Sequence, residues 1–310
     1  MPDQNPSTAD GPLRLLAVHA HPDDESSKGA ASMVRYVREG VEVLVVTCTG
    51  GERGSILNPQ LKDREAELMA DLPTVRQAEM AQAAEILGIR QVWLGFPDSG
   101  FPEADEEGNT PPLPEGSFGA LDTETASAPL VKIVRAFRPH VITTYDEKGG
   151  YPHPDHVMTH VVSMEAFDAA GDPERYPGTG DPWQPLKLYY HLTFHKARLV
   201  ALNQACIDAG VESPYKDWLE SWEDKPEDAA RLTTQVVCAE FFPLRDDALR
   251  AHATQVDPDG RWFHLPMELQ QKAWPTEDFQ LARSLVDTTL PEDDLFSGVR
   301  EAAAAGTLNR

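Results

Sequence analysis

Along the first half of the chain, apolar residues gather in short dense runs, separated by stretches in which they recur every three or four positions. Residues 13–20 (LRLLAVHA), 41–49 (VEVLVVTCT), 91–96 (QVWLGF) and 140–145 (HVITTY) are the dense runs. They are rich in Val, Leu and Ile, the pattern of strands buried on both faces. Helical periodicity covers about 27–39, closed by Gly40, then 61–70 and 75–87, with Pro73 between them and Gly88 closing the second. A further helix over 123–137 ends before Pro139. Strands alternating with helices predict an α/β fold built on a mainly parallel sheet flanked by helices. After residue 185 the alternation becomes irregular: a strand over 187–194, a helix over 196–209, a strand over 232–238 and an amphipathic helix over 243–255. The expected organisation is a disordered extension at 1–12, a core at 13–185, an α+β part at 186–300 that packs on the core, and a flexible tail at 301–310. No internal repeat is visible, and the Pro-, Gly- and acid-rich stretch 97–121 is too long for a simple connection.

In open sheets of this kind, ligands bind beyond the carboxyl ends of the strands. The predicted strand ends fall after residues 20, 49, 96 and 145, and three of the four carry polar clusters. The first is His19-Ala20-His21-Pro22-Asp23-Asp24-Glu25, the second Pro97-Asp98-Ser99-Gly100, and the third Tyr145-Asp146-Glu147 continuing into Tyr151-Pro152-His153-Pro154-Asp155-His156. Two imidazoles and a carboxylate are a common catalytic zinc set, with a position left for water. A single H-x-x-D is weak, and a second His-rich cluster at a neighbouring strand end strengthens it. Each residue also has a plainer reading. His21 and His156 fit ordinary surface or capping histidines, and Asp23, Asp24 and Asp155 fit helix N-caps. Capping does not need two carboxylates side by side near an imidazole pair, and packed like charges are costly unless a cation offsets them.

The loop Thr49-Gly50-Gly51-Glu52-Arg53-Gly54 is neither a dinucleotide fingerprint nor a phosphate loop, and no G-x-S-x-G elbow is present. The formal net charge is −24, which disfavours nucleic acid and anionic membrane surfaces as partners. The three cysteines, Cys48, Cys206 and Cys238, are widely spaced and fit a reducing compartment. No apolar run approaches the ~18 residues of a membrane span, and the polar N-terminus has no leader pattern, so a cytoplasmic protein is expected.

The pairing of A-H-P-D-D-E at 20–25 with H-P-D-H at 153–156 resembles the signature of the N-acetylglucosaminyl deacetylase superfamily, the LmbE-like or PIG-L-like proteins. Within it, HAHPDDESSKGA at 19–30, TGGERGSILNP at 49–59, TTYDEKGGYPHPDH at 143–156 and RDDALRAHATQVDP at 245–258 look like the mycothiol S-conjugate amidases, with the N-acetylglucosaminyl inositol deacetylases as the nearest competitor. The similarity runs over roughly 13–300. It implies a Rossmann-like catalytic core and one Zn2+ per chain, bound by His21, Asp24 and His156; the same donors accept Fe2+ or another divalent ion. Asp23 corresponds to the family's general base and acid, His153 and Tyr151 to groups near the oxyanion, and Asp155 to a carboxylate that tunes the base or the histidine. Arg76 and Asp98 fall where sugar- and inositol-binding residues lie, and Lys28 matches a lysine characteristic of the conjugate amidases. The implied substrate is a small thiol conjugate whose amide is hydrolysed. A non-catalytic metal-binding protein is the reading from another class, and the intact Asp23 speaks against it. His252, in RAHATQ, either approaches the site or lies on a helix face.

Overall fold

The computed structural model describes residues 11–105, 107, 109–223 and 228–306. Residues 1–10, most of the expected extension, and 307–310, the last four of the expected tail, lie outside the described residues, and the beginning of that tail lies in a short helix, Val299–Ala304. The dense apolar runs form β1 (Arg14–His19), β2 (Glu42–Thr49), β3 (Arg90–Phe96) and β4 (Val141–Thr144), joined in one sheet by β5 (Lys187–His191), β6 (Thr234–Val237) and β7 (Thr276–Ser284). The order across the sheet is β3-β2-β1-β4-β5-β7-β6. The first five are mutually parallel, and β7 runs antiparallel to both β5 and β6.

Alternation along each parallel strand builds a core on both faces. Leu15 and Ala17 of β1, with Val43 and Val45 of β2, pack under the helices Ala30–Arg38 and Leu72–Leu87. Leu16, Val18, Leu44 and Val46 face the helices Thr123–Phe137 and Pro154–Ala169 on the other side. Because β2 and β4 leave β1 in opposite directions, the strand order reverses at the carboxyl end of β1, the point where such sheets open a crevice.

Four details differ from the sequence-based expectations. The helix after the first histidine cluster is two pieces, Asp24–Ser27 and Ala30–Arg38, broken at Gly29 (φ +82), where a Cβ would lie 2.6 Å from the His191 ring. Two helices do form here, Glu65–Met69 and Leu72–Leu87, but Pro73 sits in the first turn of the second rather than between them, where its missing N–H costs nothing. The amphipathic helix ends at Ala251, so His252 turns out of it. Strand β7 was not anticipated: its TED opening buries Glu277 and Asp278, which a reading by polarity assigns to a loop. Glu277 accepts the Ala31 and Ser32 amides at the N-terminus of Ala30–Arg38, a favourable place for a carboxylate.

The C-terminal segment is pinned to β5 by charge. Fully buried Lys187 pairs with Glu292, which also accepts the Tyr189 hydroxyl at 2.8 Å. Removing one partner strands the other in the interior. Lys187→Ala is therefore expected to cost about 3–5 kcal/mol in urea or thermal unfolding; an unchanged midpoint would mean that Glu292 finds solvent by local opening.

Candidate metal centre

Strand β1 delivers His19 and the following loop to the crevice. Fully buried His19 is not turned toward the cluster of donors: its Nδ1 lies 3.2 Å from the Tyr145 hydroxyl and its ring stacks on His191. His21 and Asp24 come next, bound to each other because the His21 amide donates to Asp24 Oδ2 at 3.0 Å. His156 arrives from the first turns of the helix Pro154–Ala169. Its Nδ1 donates to the Gly149 carbonyl at 2.9 Å, which leaves Nε2 as a lone pair. That Nε2 is buried, has no hydrogen-bond partner, and lies 3.3 Å from Asp24 Oδ2. His21 is arranged likewise: Nε2 faces Asp155 Oδ2 at 3.3 Å, and Nδ1 faces Asp24 Oδ2 at 3.6 Å.

The donor atoms of His21, Asp24 and His156 all lie within 4.8 Å of one another. Two imidazoles, one carboxylate and an orphaned lone pair at the same point fit a divalent cation. The electrostatics agree. Burial alone would lower the His21 pKa, yet Asp155, Asp24 and Asp98 together raise it well above its ordinary value. This pocket favours positive charge. A second grouping of His21, Asp98, His153 and Asp155 is also close, but its donors are already engaged. Asp155 accepts from the Ser99 amide (3.0 Å) and hydroxyl and from the Gly119 amide, Asp98 from the Arg53 and Gly100 amides, and His153 Nδ1 from the Asp155 amide at 3.1 Å.

Asp23 stands beside this cluster in a left-handed conformation (φ 118, ψ −27), rare outside glycine. Burial, and then the charge of Asp24, push its pKa up to about 6. Although Asp23 occupies the N-cap position of Asp24–Ser27, its side chain caps nothing. Neither is Asp155 a cap; His153 is, through its Nδ1. That bond leaves the His153 proton on Nε2, and burial, followed by the charge of His21, lowers its pKa to about 4. Its ring meets that of His21 edge-on at 4.6 Å. Tyr151 is 45% exposed at the mouth, with its ring 4.3 Å from that of His156.

Arg76 and Asp98 are buried behind the glycine loop. A Cβ at Gly51 (φ +65) would fall 1.8 Å from Arg76 Nη1, so only glycine leaves room for the guanidinium. Lys28 is the C-cap of Asp24–Ser27 rather than a residue within a helix leaving the loop. Its Nζ donates to Asp24 Oδ1 at 2.6 Å and Ser27 Oγ at 3.0 Å instead of reaching over the mouth. The sequence alone does not single out Glu25 and Ser99 as site residues, and it leaves His252 open. Glu25 and His252 are fully buried beside the Asp23 turn, where His252 Nε2 lies 2.7 Å from Glu25 Oε1. The three cysteines are buried and free, and among the described residues no helix is long and apolar enough to cross a membrane.

The family of GlcNAc-PI de-N-acetylases (PIG-L) matches residues 16–167. Over 94% of its length the chain is 59% identical to the mycothiol S-conjugate amidase of Streptomyces coelicolor, of which it covers 99%. It is 40% identical over 92% of its length to the 1D-myo-inositol 2-acetamido-2-deoxy-alpha-D-glucopyranoside deacetylase of Geodermatophilus obscurus, covering 98% of that protein. Among solved structures, N,N'-diacetylchitobiose deacetylase from Pyrococcus horikoshii superposes with a TM-score of 0.58 at 19% identity, over 90% of this chain and 86% of that one. GalB, the 4-carboxy-2-hydroxymuconate hydratase of Pseudomonas putida, superposes with a TM-score of 0.55 at 17% identity, over 90% and 99%. At such identities the likeness concerns the fold alone, which hosts more than one chemistry.

Proposed function

This chain belongs to the PIG-L family of GlcNAc-PI de-N-acetylases, and we propose that it is a zinc-dependent amidase that hydrolyses the cysteinyl–glucosamine amide of mycothiol S-conjugates. The observation that carries the hydrolytic reading is the buried, unpartnered Nε2 of His156 turned toward Asp24, with the carboxylate of Asp23 beside the cluster. The greater identity, over nearly the whole length, to the amidase than to the deacetylase favours the conjugate as substrate.

In this mechanism His21, Asp24 and His156 would hold the ion. When bound, such an ion polarises an amide carbonyl and lowers the pKa of coordinated water toward ~7. Asp155 fixes the His21 ring through its contact with Nε2, as carboxylates behind ligating histidines commonly do. Asp23 takes a proton as water oxygen adds to the carbonyl carbon, then delivers it to the glucosamine nitrogen as the C–N bond breaks. The products are the N-acetylcysteine conjugate, a mercapturic acid, and glucosaminyl inositol. His153 needs no charge to assist: with Nδ1 accepting from the Asp155 amide, its Nε2–H remains free to donate to the oxyanion. Tyr151, at the mouth, adds a hydroxyl on the same side. Arg76 and Asp98 supply the polar wall beside Asp23 for sugar hydroxyls.

Lys28 serves the same centre. Its ammonium neutralises Asp24 directly, so Lys28→Ala is expected to lower kcat/KM about tenfold on both a mycothiol conjugate and N-acetylglucosaminyl inositol, the size of one lost hydrogen bond to a charged group. A loss confined to the conjugate would instead make Lys28 a direct reader of the cysteinyl arm. The amidase reading is tested by bound-metal analysis together with assays on those two substrates: stoichiometric zinc and preferential cleavage of the conjugate support it, while acetate release alone would make the chain a deacetylase.

A further inference from the structure

The turn that carries Asp23 is held from the far end of the chain. Glu25 Oε2 accepts the Asp23 amide at 3.0 Å, while Glu25 Oε1 accepts the Ser26 hydroxyl and lies 2.7 Å from His252 Nε2. Glu25 and His252 are both fully buried, 227 residues apart. A buried carboxylate in such a place is costly unless it is paired and its oxygens are satisfied. Here the pairing is complete on Glu25, and its free oxygen is spent on one backbone amide.

That amide belongs to a residue with φ 118, a conformation a non-glycine residue holds only when its surroundings impose it. His252 is itself fixed. The following segment is clamped to the rest of the site wall, with the Thr254 amide and hydroxyl both donating to Glu79, and Asn58 donating to the Ala253 carbonyl. The mechanism uses neither Glu25 nor His252, and neither has a donor atom in the metal cluster.

We propose that His252 is a positioning residue: through Glu25 it holds the Asp23 amide, and so aims the Asp23 carboxylate at the reacting water. The proposal rests on Asp23 being the general base. It gives the C-terminal part a role in turnover without contact with substrate. Misplacing a reacting group by about an ångström costs on the order of a hundredfold, so loss of this brace should appear in kcat.

The test is steady-state kinetics and bound-metal analysis of His252→Ala, His252→Gln and His252→Asn, each also combined with Asp23→Asn. Gln can present its amide where Nε2 lies and keep the bond to Glu25; Asn cannot reach it. The expected result is a kcat lower by roughly ten- to a hundredfold for the Ala and Asn variants, KM and metal content unchanged, and most of the loss recovered by Gln. On top of Asp23→Asn, His252→Ala should cost no more than about twofold, because residues acting as one unit are not additive. Should His252→Ala fail to fold, the Gln and Asn pair decides alone. Equal rates for Gln and Asn, a kcat loss that tracks metal loss, or an undiminished loss in the Asp23→Asn background would each overturn the brace. If Asp23→Asn itself retains full turnover, the catalytic reading fails first, and the two failures are told apart.

Discussion

Asp23→Asn is expected to retain as much metal as the unaltered chain and to lose turnover by about 10²–10⁴-fold. The substitution keeps the size of the side chain and its backbone amide, so the bond from that amide to Glu25 and the left-handed turn persist. What it removes is an oxygen able to take and return a proton. Neither neighbouring carboxylate is placed to substitute: Asp24 is occupied by Lys28 and the His21 amide, and Asp155 by Ser99, Gly119 and His21. Zinc content by elemental analysis and kcat on a conjugate check both halves. A variant with full metal and near-normal kcat would remove Asp23 from the chemistry.

The two histidines of H-P-D-H should separate just as sharply. His156→Ala deletes the buried, unpartnered lone pair beside Asp24, so metal retained after desalting should fall well below one per chain, and activity with it. His153→Ala leaves His21, Asp24 and His156 in place. It should keep its zinc and lose about 10²-fold or more in kcat, the usual loss for one donor at a developing oxyanion. His153 also caps the helix Pro154–Ala169, so its loss should cost roughly 1 kcal/mol of stability as well. Equal metal loss in both variants would mean that the roles within H-P-D-H are divided wrongly.

The core of the fold was legible because its strands are buried on both faces, which makes LLAV, VLVV and VITT read as strands without any alternation. The first and last histidine clusters were legible for a related reason: parallel strands bring their carboxyl ends to one edge, so residues 21 and 156 had to meet near the point where strand order reverses. Strand β7 was not legible because its opening residues are acidic. Glu277 is buried only because a helix N-terminus faces it, and Asp278 because His195 and the Trp274 indole do. Polarity alone says nothing of such partners. The same limit hid the Glu25–His252 pair: each residue read singly is an ordinary polar position, and only the packing of Ala251 and its neighbours onto the loop makes them a unit. Lys28 shows a third case. Its proximity to Asp24 follows from the sequence, but its choice of the carboxylate over the mouth depends on the break at Gly29, which ends the helix early.

Mass-spectrometric analysis of the products formed from a mycothiol S-conjugate by the zinc-loaded chain tests the central claim most directly. The expected result is equimolar mercapturic acid and glucosaminyl inositol, formed faster than acetate from N-acetylglucosaminyl inositol at equal concentration and abolished by a chelator. Intact conjugate beside efficient acetate release, or cleavage that persists after the metal is stripped, would contradict it.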